Sequence, residues 1–313
     1  MYIIPRCSRF GTMCFHGKIL PFDSNIVSCR WSQRFLSSEP PAHKASTGWL
    51  KRYEDLLKRR WPKMYAVHRM VVDGCKWCYT DIKTYFILRR ELSRGVRTIA
   101  EFDQNELEIF IQTSSELTKL VVILILIPLP ATVYIIGIAI IFFPRLTLTR
   151  HFWTNEQRKE FWTSSMARSA ALHFEPLKMF LKQKNVRIPS SFEELRKLRA
   201  PSLESLSIMH HYHLCRIHHV LPFLGTSRLR KRAAALRQLD YYLLNMKSID
   251  EMGDQQLYLQ LYLRRLQYYG MNIQEMRDEL KMWVHYASDP ELSVSSYLHA
   301  PALFQSGRFG TLK

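Results

Sequence analysis

The sequence predicts an all-α fold in which a single transmembrane helix joins a helical N-terminal arm to an all-helical C-terminal domain. The first observation is an uncharged apolar run over residues 120–143, which follows Lys119 and precedes Pro144 and Arg145. The second is that apolar residues recur every three or four positions through much of the chain on both sides of this run. The run therefore sets the domain boundaries.

The apolar run has the length of a membrane crossing. At about 1.5 Å of rise per residue it covers a hydrocarbon core of roughly 30 Å. Pro128 and Pro130 each remove a backbone donor, so we expect a kink in its first half. A buried hairpin of a soluble protein is the alternative. The run contains no ionisable side chain, whereas a pump or exchanger needs polar groups at membrane depth, so we expect an anchor rather than a conduction path.

The chain is strongly basic, with 45 Lys plus Arg, 27 Asp plus Glu and a net charge of +18. Such an excess favours anionic partners such as RNA or phospholipid headgroups. The six cysteines suggest no disulfide framework, and the C-x-x-C of Cys75 and Cys78 lies within a helical pattern, which disfavours redox or metal chemistry. The sequence contains no nucleophile elbow, P-loop, dinucleotide fingerprint or metalloprotease motif, so neither an enzyme nor a cofactor is expected.

Residues 1–36 have the composition of a mitochondrial transit peptide, with Asp23 as their only acid. Positive charge with few acids suits import across an energised membrane. A disordered basic tail is the alternative. Residues 37–48, which include two prolines, are predicted to be a linker. The basic residues of the leader are Arg6, Arg9, Lys18, Arg30 and Arg34.

Residues 49–119 form the predicted N-terminal arm. A helical pattern begins at Trp49, breaks at Pro62 and resumes to Leu92. A second helix is expected over residues 103–118 and leads into the apolar run. The first pattern is basic and rich in Trp and Tyr, so it can lie along a membrane surface or pack against a partner helix. Both interpretations remain open at this point.

The two flanks of the apolar run differ in charge. Within about twenty residues the N-terminal flank carries only one basic residue, and by the positive-inside bias the C-terminal domain, residues 144–313, is expected in the matrix. The basic residues are Lys119 on the N-terminal flank and Arg145, Arg150, Arg158 and Lys159 on the C-terminal flank.

Three segments resemble the LETM-domain-containing family of mitochondrial inner-membrane proteins. Residues 143–154 (FPRLTLTRHFWT) resemble the signature that follows the membrane segment, and residues 53–62 (YEDLLKRRWP) are similar to the segment ahead of it. Residues 224–283 resemble the family's ribosome-binding-like domain. The likeness is greatest to the shorter members, which lack an EF-hand, and no EF-hand loop motif occurs here. The signature residues are Pro144, Arg145, Arg150, His151, Phe152 and Trp153.

The resemblance implies a function at the mitochondrial inner membrane, although the outer membrane remains open. It implies that the matrix-side domain binds the mitochondrial ribosome or rRNA and supports mitochondrial organisation and respiratory-chain biogenesis. Larger relatives are associated with K⁺ or Ca²⁺ exchange for protons, so cation exchange is one alternative. A membrane scaffold that docks other membrane proteins, or a second copy of the chain, along residues 49–92 is another.

The C-terminal domain is predicted to be a succession of helices. Ser190 or Ser191 and the pair Ser248 and Glu251 are expected to cap two helix starts, and Gly270 to close one helix in a left-handed conformation. That helix is apolar almost all round, which predicts burial in the core. The predicted helices cover residues 155–180, 192–198, 206–221, 228–246, 257–269 and 272–286.

Residues 206–221 hold a cluster of potential zinc ligands. Helical spacing places His211, Cys215 and His218 or His219 on one stripe. A closed zinc site usually draws on more than one element, and no C-x-x-C or H-E-x-x-H frame occurs there. A half-buried interface helix is therefore favoured over a metal site. The cluster comprises His210, His211, His213, Cys215, His218 and His219.

The densest basic patch opens the next predicted helix. Lys and Arg side chains there could neutralise phosphates without reading sequence, as contact with RNA or headgroups requires. A solvated helix face is the alternative. The patch comprises Arg228, Arg230, Lys231, Arg232 and Arg237, and the hypothesis is that it forms the ribosome contact.

Overall fold

The chain is all-α throughout the part that the computed structural model describes, which confirms the predicted class. The described residues are 48–126, 148–189, 192–246, 249–266 and 268–304. Within these ranges they form ten α-helices and four short 3-10 helices, and none of them lies in a β-strand.

The α-helices are α1 (Gly48–Arg60), α2 (Pro62–Arg94), α3 (Gln104–Leu126), α4 (Asn155–Gln183), α5 (Phe192–Arg196), α6 (Ile208–Ile217), α7 (Thr226–Met246), α8 (Asp254–Arg264), α9 (Ile273–Ala287) and α10 (Val294–Phe304). The 3-10 helices are Ile99–Glu101, Arg150–Phe152, Leu203–Ser205 and Pro222–Leu224.

The chain divides into two compact units, residues 1–70 and 71–313. The described part of the first unit holds α1 and the beginning of α2. Pro62 is the first residue of α2, a position where the missing N–H of proline is tolerated. The predicted helix break at Pro62 is therefore confirmed. Within this unit the rings of Tyr53 and His68 meet edge to face at 5.9 Å.

The core of the second unit forms around α4 and α7. Helix α7 packs against α3, α9 and α10, while α4 packs against α6, α8 and α10. The α7 side chains that reach the core recur at helical spacing and include Leu229, Ala233, Leu236, Leu239 and Leu243. Burial of this stripe fixes the rotation of α7, and the same rotation decides which of its basic residues face water.

Helix starts in the second unit are capped as their sequences specify. The Thr154 hydroxyl accepts from the backbone N–H of Gln157 at 3.3 Å, and the side-chain Oε1 of Gln157 accepts from the backbone N–H of Thr154 at 3.0 Å. Asn272 and Glu275 make the same reciprocal pair at 2.8 Å each. Each pair satisfies two backbone donors that a helix leaves open, so α4 and α9 have defined first turns.

Predicted helix boundaries are wrong at both ends of α8, and the helix predicted over residues 206–221 covers only Ile208–Ile217. Helix α8 ends at Arg264 instead of residue 269, because Arg265 takes the left-handed conformation (φ 64°, ψ 28°) and acts as its C-cap. Gly270 has φ 76° in a separate turn, so it does not close α8. The start of α8 also differs from the prediction, since Glu251 lies in a turn before the Gly253 N-cap.

Several predictions concern residues outside the described ranges. They are the transit peptide, the linker up to residue 47, Ser190, Ser191, Ser248, Pro144, Arg145 and residues 127–143 of the predicted transmembrane helix. Helix α3 contains residues 120–126 of that run. Among the helices of the described residues, none combines the length and apolar character that a membrane crossing needs.

Candidate functional site

The signature segment folds into a buried ionic cluster. Arg150 is 4% exposed and opens the 3-10 helix that follows the apolar run. Its Nη1 donates to Glu116 Oε2 at 2.7 Å, and its Nη2 donates to Asp81 Oδ2. Asp81 lies on α2 and Glu116 on α3, so one guanidinium joins three segments of the chain. We call Asp81, Glu116, Arg150 and His151 the signature clamp.

His151 completes the clamp through both of its ring nitrogens. Its Nε2 lies 3.0 Å from Asp81 Oδ2, and its Nδ1 lies 3.0 Å from the Thr149 hydroxyl. The carboxylate can only accept, so Nε2 donates to it. The Trp77 ring closes the site edge-on at 4.7 Å. Each of the four side chains of the signature clamp has a polar partner within the clamp, which indicates a structural role.

Gly74 allows the signature segment to approach α2. A Cβ at this position would lie 2.6 Å from Cδ1 of Phe152 and 3.1 Å from the carbonyl oxygen of His151. A glycine inside a helix costs stability, and close packing is a physical reason to tolerate it. One turn along, Cys78 is a buried free thiol whose pKa is raised by burial, while Cys75 is free and exposed.

The signature clamp bears on the predicted topology. A helix that crosses a bilayer once separates its flanks by roughly 30 Å. Glu116 precedes the apolar run and Arg150 follows it, yet their side chains are 2.7 Å apart. The structure therefore does not support the predicted single crossing between the N-terminal arm and the C-terminal domain.

Three members of the predicted basic patch lie at the surface. Arg230 and Lys231 are exposed, and Arg228 is half-buried. Arg230 also pairs with Glu204, which is itself half exposed. Phe223 lies just before α7 and is 80% exposed. We call Arg228, Arg230 and Lys231 the α7 basic face.

The other two members of the patch are used inside the fold. Arg232 is 7% exposed, and its Nη1 donates to the carbonyl of Ile111 at 3.3 Å. Arg237 donates from Nη1 to the carbonyl of Leu292 at 3.1 Å and from Nη2 to that of Asp289 at 3.2 Å. Arg232 lies on the buried stripe of α7, three residues after Leu229. Neither side chain presents a free surface charge.

The histidine cluster joins α6 to α10 through neutral rings. His299 donates from Nδ1 to the carbonyl of Ser295 at 2.7 Å, which leaves its Nε2 to accept from His210 Nε2 at 2.9 Å. His218 Nε2 donates to the carbonyl of Leu298 at 2.8 Å. Burial lowers the pKa of His210 and His299 to about 4 and that of His218 to about 3.

The remaining members of the cluster point in different directions. His211 Nε2 contacts Cys215 Sγ at 3.4 Å, and His213 Nδ1 lies 3.1 Å from His173 Nδ1 on α4. His219 lies 3.5 Å from the hydroxyl of Ser165. Among the described side chains, no three His, Cys, Asp or Glu residues converge to hold one metal ion.

A basic cleft of about 400 Å³ opens between α3, α4, α7 and α8. Arg232 and Arg265 lie buried in it, while Arg168 and Arg216 are exposed at its rim. Of the described side chains that line the cleft, only Glu116 is acidic, and it is bound to Arg150. Sequence reasoning missed this cleft, because its residues come from six separate segments.

A closed polar network lies next to the cleft. Arg264 is 1% exposed and donates from Nε to Asp240 Oδ1 at 2.5 Å and from Nη1 to Gln260 Oε1 at 2.6 Å. The Tyr297 hydroxyl donates to Asp240 Oδ2 at 2.7 Å, and Gln260 Nε2 donates to Glu108 Oε1 at 2.8 Å. The predicted burial of α8 in the core is confirmed, and its buried residues include the polar Gln260 and Arg264.

Comparisons with known proteins agree with these features. A family model described as "LETM1-like, RBD" matches residues 102–200 and 190–303. The chain is 22% identical over 293 residues to a Xenopus tropicalis protein named LETM1 domain-containing protein 1, covering 84% of this chain and 83% of that protein. A Homo sapiens protein of the same name is 24% identical over 110 residues, which are 35% of this chain and 31% of that protein.

The family match begins at residue 102 and ends within α10, so it includes Glu116, Arg150 and His151 of the clamp, but not Asp81 on α2. It also spans the residues of the cleft and the α7 basic face. Because this match covers well over half of the sequence, the chain belongs to the LETM1-like, RBD family.

Proposed function

We propose that this chain is a mitochondrial membrane-anchored protein whose helical domain binds the mitochondrial ribosome or a related RNA-containing assembly. Through that contact it supports mitochondrial organisation and respiratory-chain biogenesis. The observation that carries the proposal is the α7 basic face, in which Arg230 and Lys231 are exposed and Arg228 is half-buried, within one helical turn that follows the exposed Phe223 in sequence. The family membership and the net charge of +18 support the same assignment.

Cations and an exposed aromatic ring suit contact with RNA. Lys and Arg neutralise phosphates without reading sequence, and an aromatic face such as that of Phe223 can stack on an unpaired base. The contact expected here is therefore electrostatic and insensitive to sequence. Three phosphate contacts give a log–log salt slope of about −2 on single-stranded RNA.

The membrane attachment in this proposal is the apolar run of residues 120–143 in the mitochondrial inner membrane, with the helical domain in the matrix. The uncharged sequence of the run supports insertion. Since Glu116 and Arg150 are in contact, the chain is proposed to leave and rejoin the domain on one face of the membrane. Protease protection of mitochondria before and after rupture of the outer membrane tests the compartment.

Charge reversal of the α7 basic face tests the ribosome contact. The variant combines Arg228→Glu, Arg230→Glu and Lys231→Glu in the full chain. We expect it to lose co-sedimentation with mitochondrial ribosomes at low salt, because the phosphate contacts become repulsive. The matched control reverses three exposed arginines of α2, Arg89, Arg90 and Arg94. Retained binding by the α7 variant, or equal loss by the control, would contradict the proposal.

A second candidate function is a scaffold that docks along α2. Tyr79, Phe86 and Ile87 are 68%, 51% and 46% exposed and lie on one helix face. An apolar face of this kind suits another membrane protein or a second copy of the chain. Tyr79→Lys with Phe86→Lys would then abolish co-purification of the partner while leaving ribosome binding intact.

A further inference from the structure

The basic cleft concentrates positive charge where water is scarce. Arg232 and Arg265 are 7% and 2% exposed and lie on α7 and at the end of α8. Arg265 packs over the Tyr262 ring at 4.3 Å, a contact that attracts a guanidinium. Arg168 and Arg216 add two exposed cations at the rim. Five guanidinium groups thus line one cavity, and one of them, that of Arg150, is paired with Glu116 and Asp81.

The cleft also holds polar atoms that the described protein atoms leave without a partner. Arg232 Nε and the Ser169 hydroxyl are both buried and lack a hydrogen-bond partner among those atoms. Both residues line the cavity. An unsatisfied buried donor costs about 1–3 kcal/mol, and more when the group is charged. These donors are therefore placed to bind an acceptor that enters the cleft.

The electrostatics of the neighbouring groups agree with an unfilled anion site. Burial and the charge of Arg265 lower the pKa of Arg232 to about 9, so the group stays protonated at neutral pH. Burial, followed by the charges of Arg265 and Arg232, also lowers the pKa of His219. Elsewhere in this fold buried arginines face carboxylates, as Arg150 and Arg264 do. In the cleft a bound anion would take the place of such a carboxylate.

We propose that the cleft binds a phosphate group, supplied in the intact protein by the headgroup of an anionic phospholipid. The lipid source rests on the proposed membrane attachment. It is argued from α3, because the cleft-lining residues from Ser114 to Lys119 run directly into the apolar run that begins at Leu120. Consecutive helical residues rise about 1.5 Å, so the cleft lies within a few residues of the chain's entry into the membrane. Phosphate oxygens are acceptors that match guanidinium and hydroxyl donors.

Three ligands distinguish a phosphate site from a lipid site. The purified full chain, held in an uncharged detergent, is titrated with inorganic pyrophosphate, short-chain phosphatidic acid and short-chain phosphatidylcholine. Binding is followed by the rise in unfolding temperature, because a ligand that binds only the folded state stabilises it. We expect phosphatidic acid and pyrophosphate to raise the unfolding temperature and phosphatidylcholine to leave it unchanged. A shift with phosphatidic acid well above that with pyrophosphate assigns the lipid source, and equal shifts assign a free phosphate group.

Two variants locate the binding in the cleft. Arg232→Gln removes a buried donor and should weaken phosphatidic acid at least about tenfold. Arg168→Gln with Arg216→Gln alters only the exposed rim, cannot damage the core, and should weaken binding in the same direction. Lys231→Gln is the matched control, since it lies next to Arg232 in sequence but is exposed and outside the cleft.

The outcomes separate this site from the ribosome contact. Arg232→Gln should retain co-sedimentation with ribosomes, and charge reversal of the α7 basic face should retain the phosphate response. Equal responses of the Arg232 and Lys231 variants, or no response of the wild-type chain to either phosphate ligand, would overturn the cleft proposal. Displacement of phosphatidic acid from the cleft by RNA, with loss of ribosome binding in the Arg232 variant, would overturn it in favour of an RNA site.

Discussion

Arg264 and Arg265 are neighbours in sequence and are both buried, yet they face opposite electrostatic surroundings. Arg264 points into the closed network and contacts the carboxylate of Asp240 at 2.5 Å. Arg265 lines the basic cleft together with Arg232. The difference arises in the backbone, because Arg264 is the last helical residue of α8 and Arg265 turns left-handed. One peptide unit thus separates a cation that contacts a carboxylate from one that lines the cleft.

This contrast shows how one fold uses buried charge in two ways. In the closed network the cation, the carboxylate, the amide and the tyrosine hydroxyl hydrogen-bond to one another, so the network specifies how α7, α8 and α10 pack. In the cleft, the proposed anion would offset the cost of burying Arg232. Mutations in the closed network should therefore lower the stability of the ligand-free protein. Mutations in the cleft should change its stability little until ligand is added.

Asp240→Asn should have the largest effect on stability. It removes the carboxylate and leaves the Arg264 guanidinium buried with an uncompensated charge, which costs about 3–5 kcal/mol. We expect a large drop in unfolding temperature, measured by circular dichroism on the full chain. Asp278→Asn is the control, because Asp278 is an exposed acid on α9. A similar small change in both variants would show that the closed network does not stabilise the fold.

Acidification should destabilise the domain through its buried histidines. The folded-state pKa values of His210 and His299, about 4, and of His218, about 3, lie below the ordinary value of 6.5. The unfolded chain therefore binds protons first, and stability is full above pH 6.5 and falls as the pH drops towards 4. The loss is roughly 2 kcal/mol for each uncoupled histidine between about pH 7 and pH 5.

Thermal unfolding across this pH range measures the effect. His218→Gln retains a donor for the carbonyl of Leu298 but cannot titrate, so its stability should fall less steeply with acid. His285→Gln, at a residue exposed on α9, is the matched control and should keep the steep fall. If the stability of His218→Gln falls as steeply with acid as that of the wild-type chain, His218 does not contribute to the acid response.

Gly74→Ala should have an intermediate effect on the signature clamp. The added Cβ would lie 2.6 Å from the Phe152 ring and 3.1 Å from the backbone of His151, and overpacking of this kind costs about 1–3 kcal/mol. We expect a lower unfolding temperature without loss of helix content. Gly253→Ala is the control, since open space surrounds that position. If both variants unfold at the same temperature, the signature segment does not depend on the close approach at Gly74.

Arg232→Met should have the smallest effect on the unfolding temperature. The sign of this change distinguishes the basic cleft from the closed network. The substitution removes one hydrogen bond to Ile111 together with one of two buried like charges. The two changes oppose each other, so the ligand-free unfolding temperature should change little or rise, by less than about 1 kcal/mol. A loss as large as that expected for Asp240→Asn would mean that Arg232 is part of the structural core.

The sequence was sufficient for features that depend on neighbouring residues. Spacing predicted the helical class, the break at Pro62 and the start of α9 near Asn272, because periodicity and capping act within a few positions. The burial of Arg232 was also readable, since it follows Leu229 by three positions and precedes Leu236 by four. The density of its charges predicts that the basic patch is a single face, whereas the apolar stripe of α7 divides it.

Features that depend on distant residues could not be predicted. Asp81 and Arg150 are 69 positions apart in sequence, and nothing in either segment identifies the other as its partner. The left-handed turn at Arg265 carries no glycine or asparagine signal. That turn determines which of the two arginines contacts Asp240. Neither the closed network nor the cleft could therefore be predicted from sequence patterns.

The contact between Glu116 and Arg150 affects how the helical domain can be prepared for experiments. A chain that leaves and returns at adjacent points behaves as an insertion in a closed loop, and loop-closure entropy changes only slowly with loop length. A short polar linker in place of residues 120–143 should therefore leave the helical domain folded. It would yield a version without the apolar run, on which ribosome and phosphate binding could be measured free of detergent.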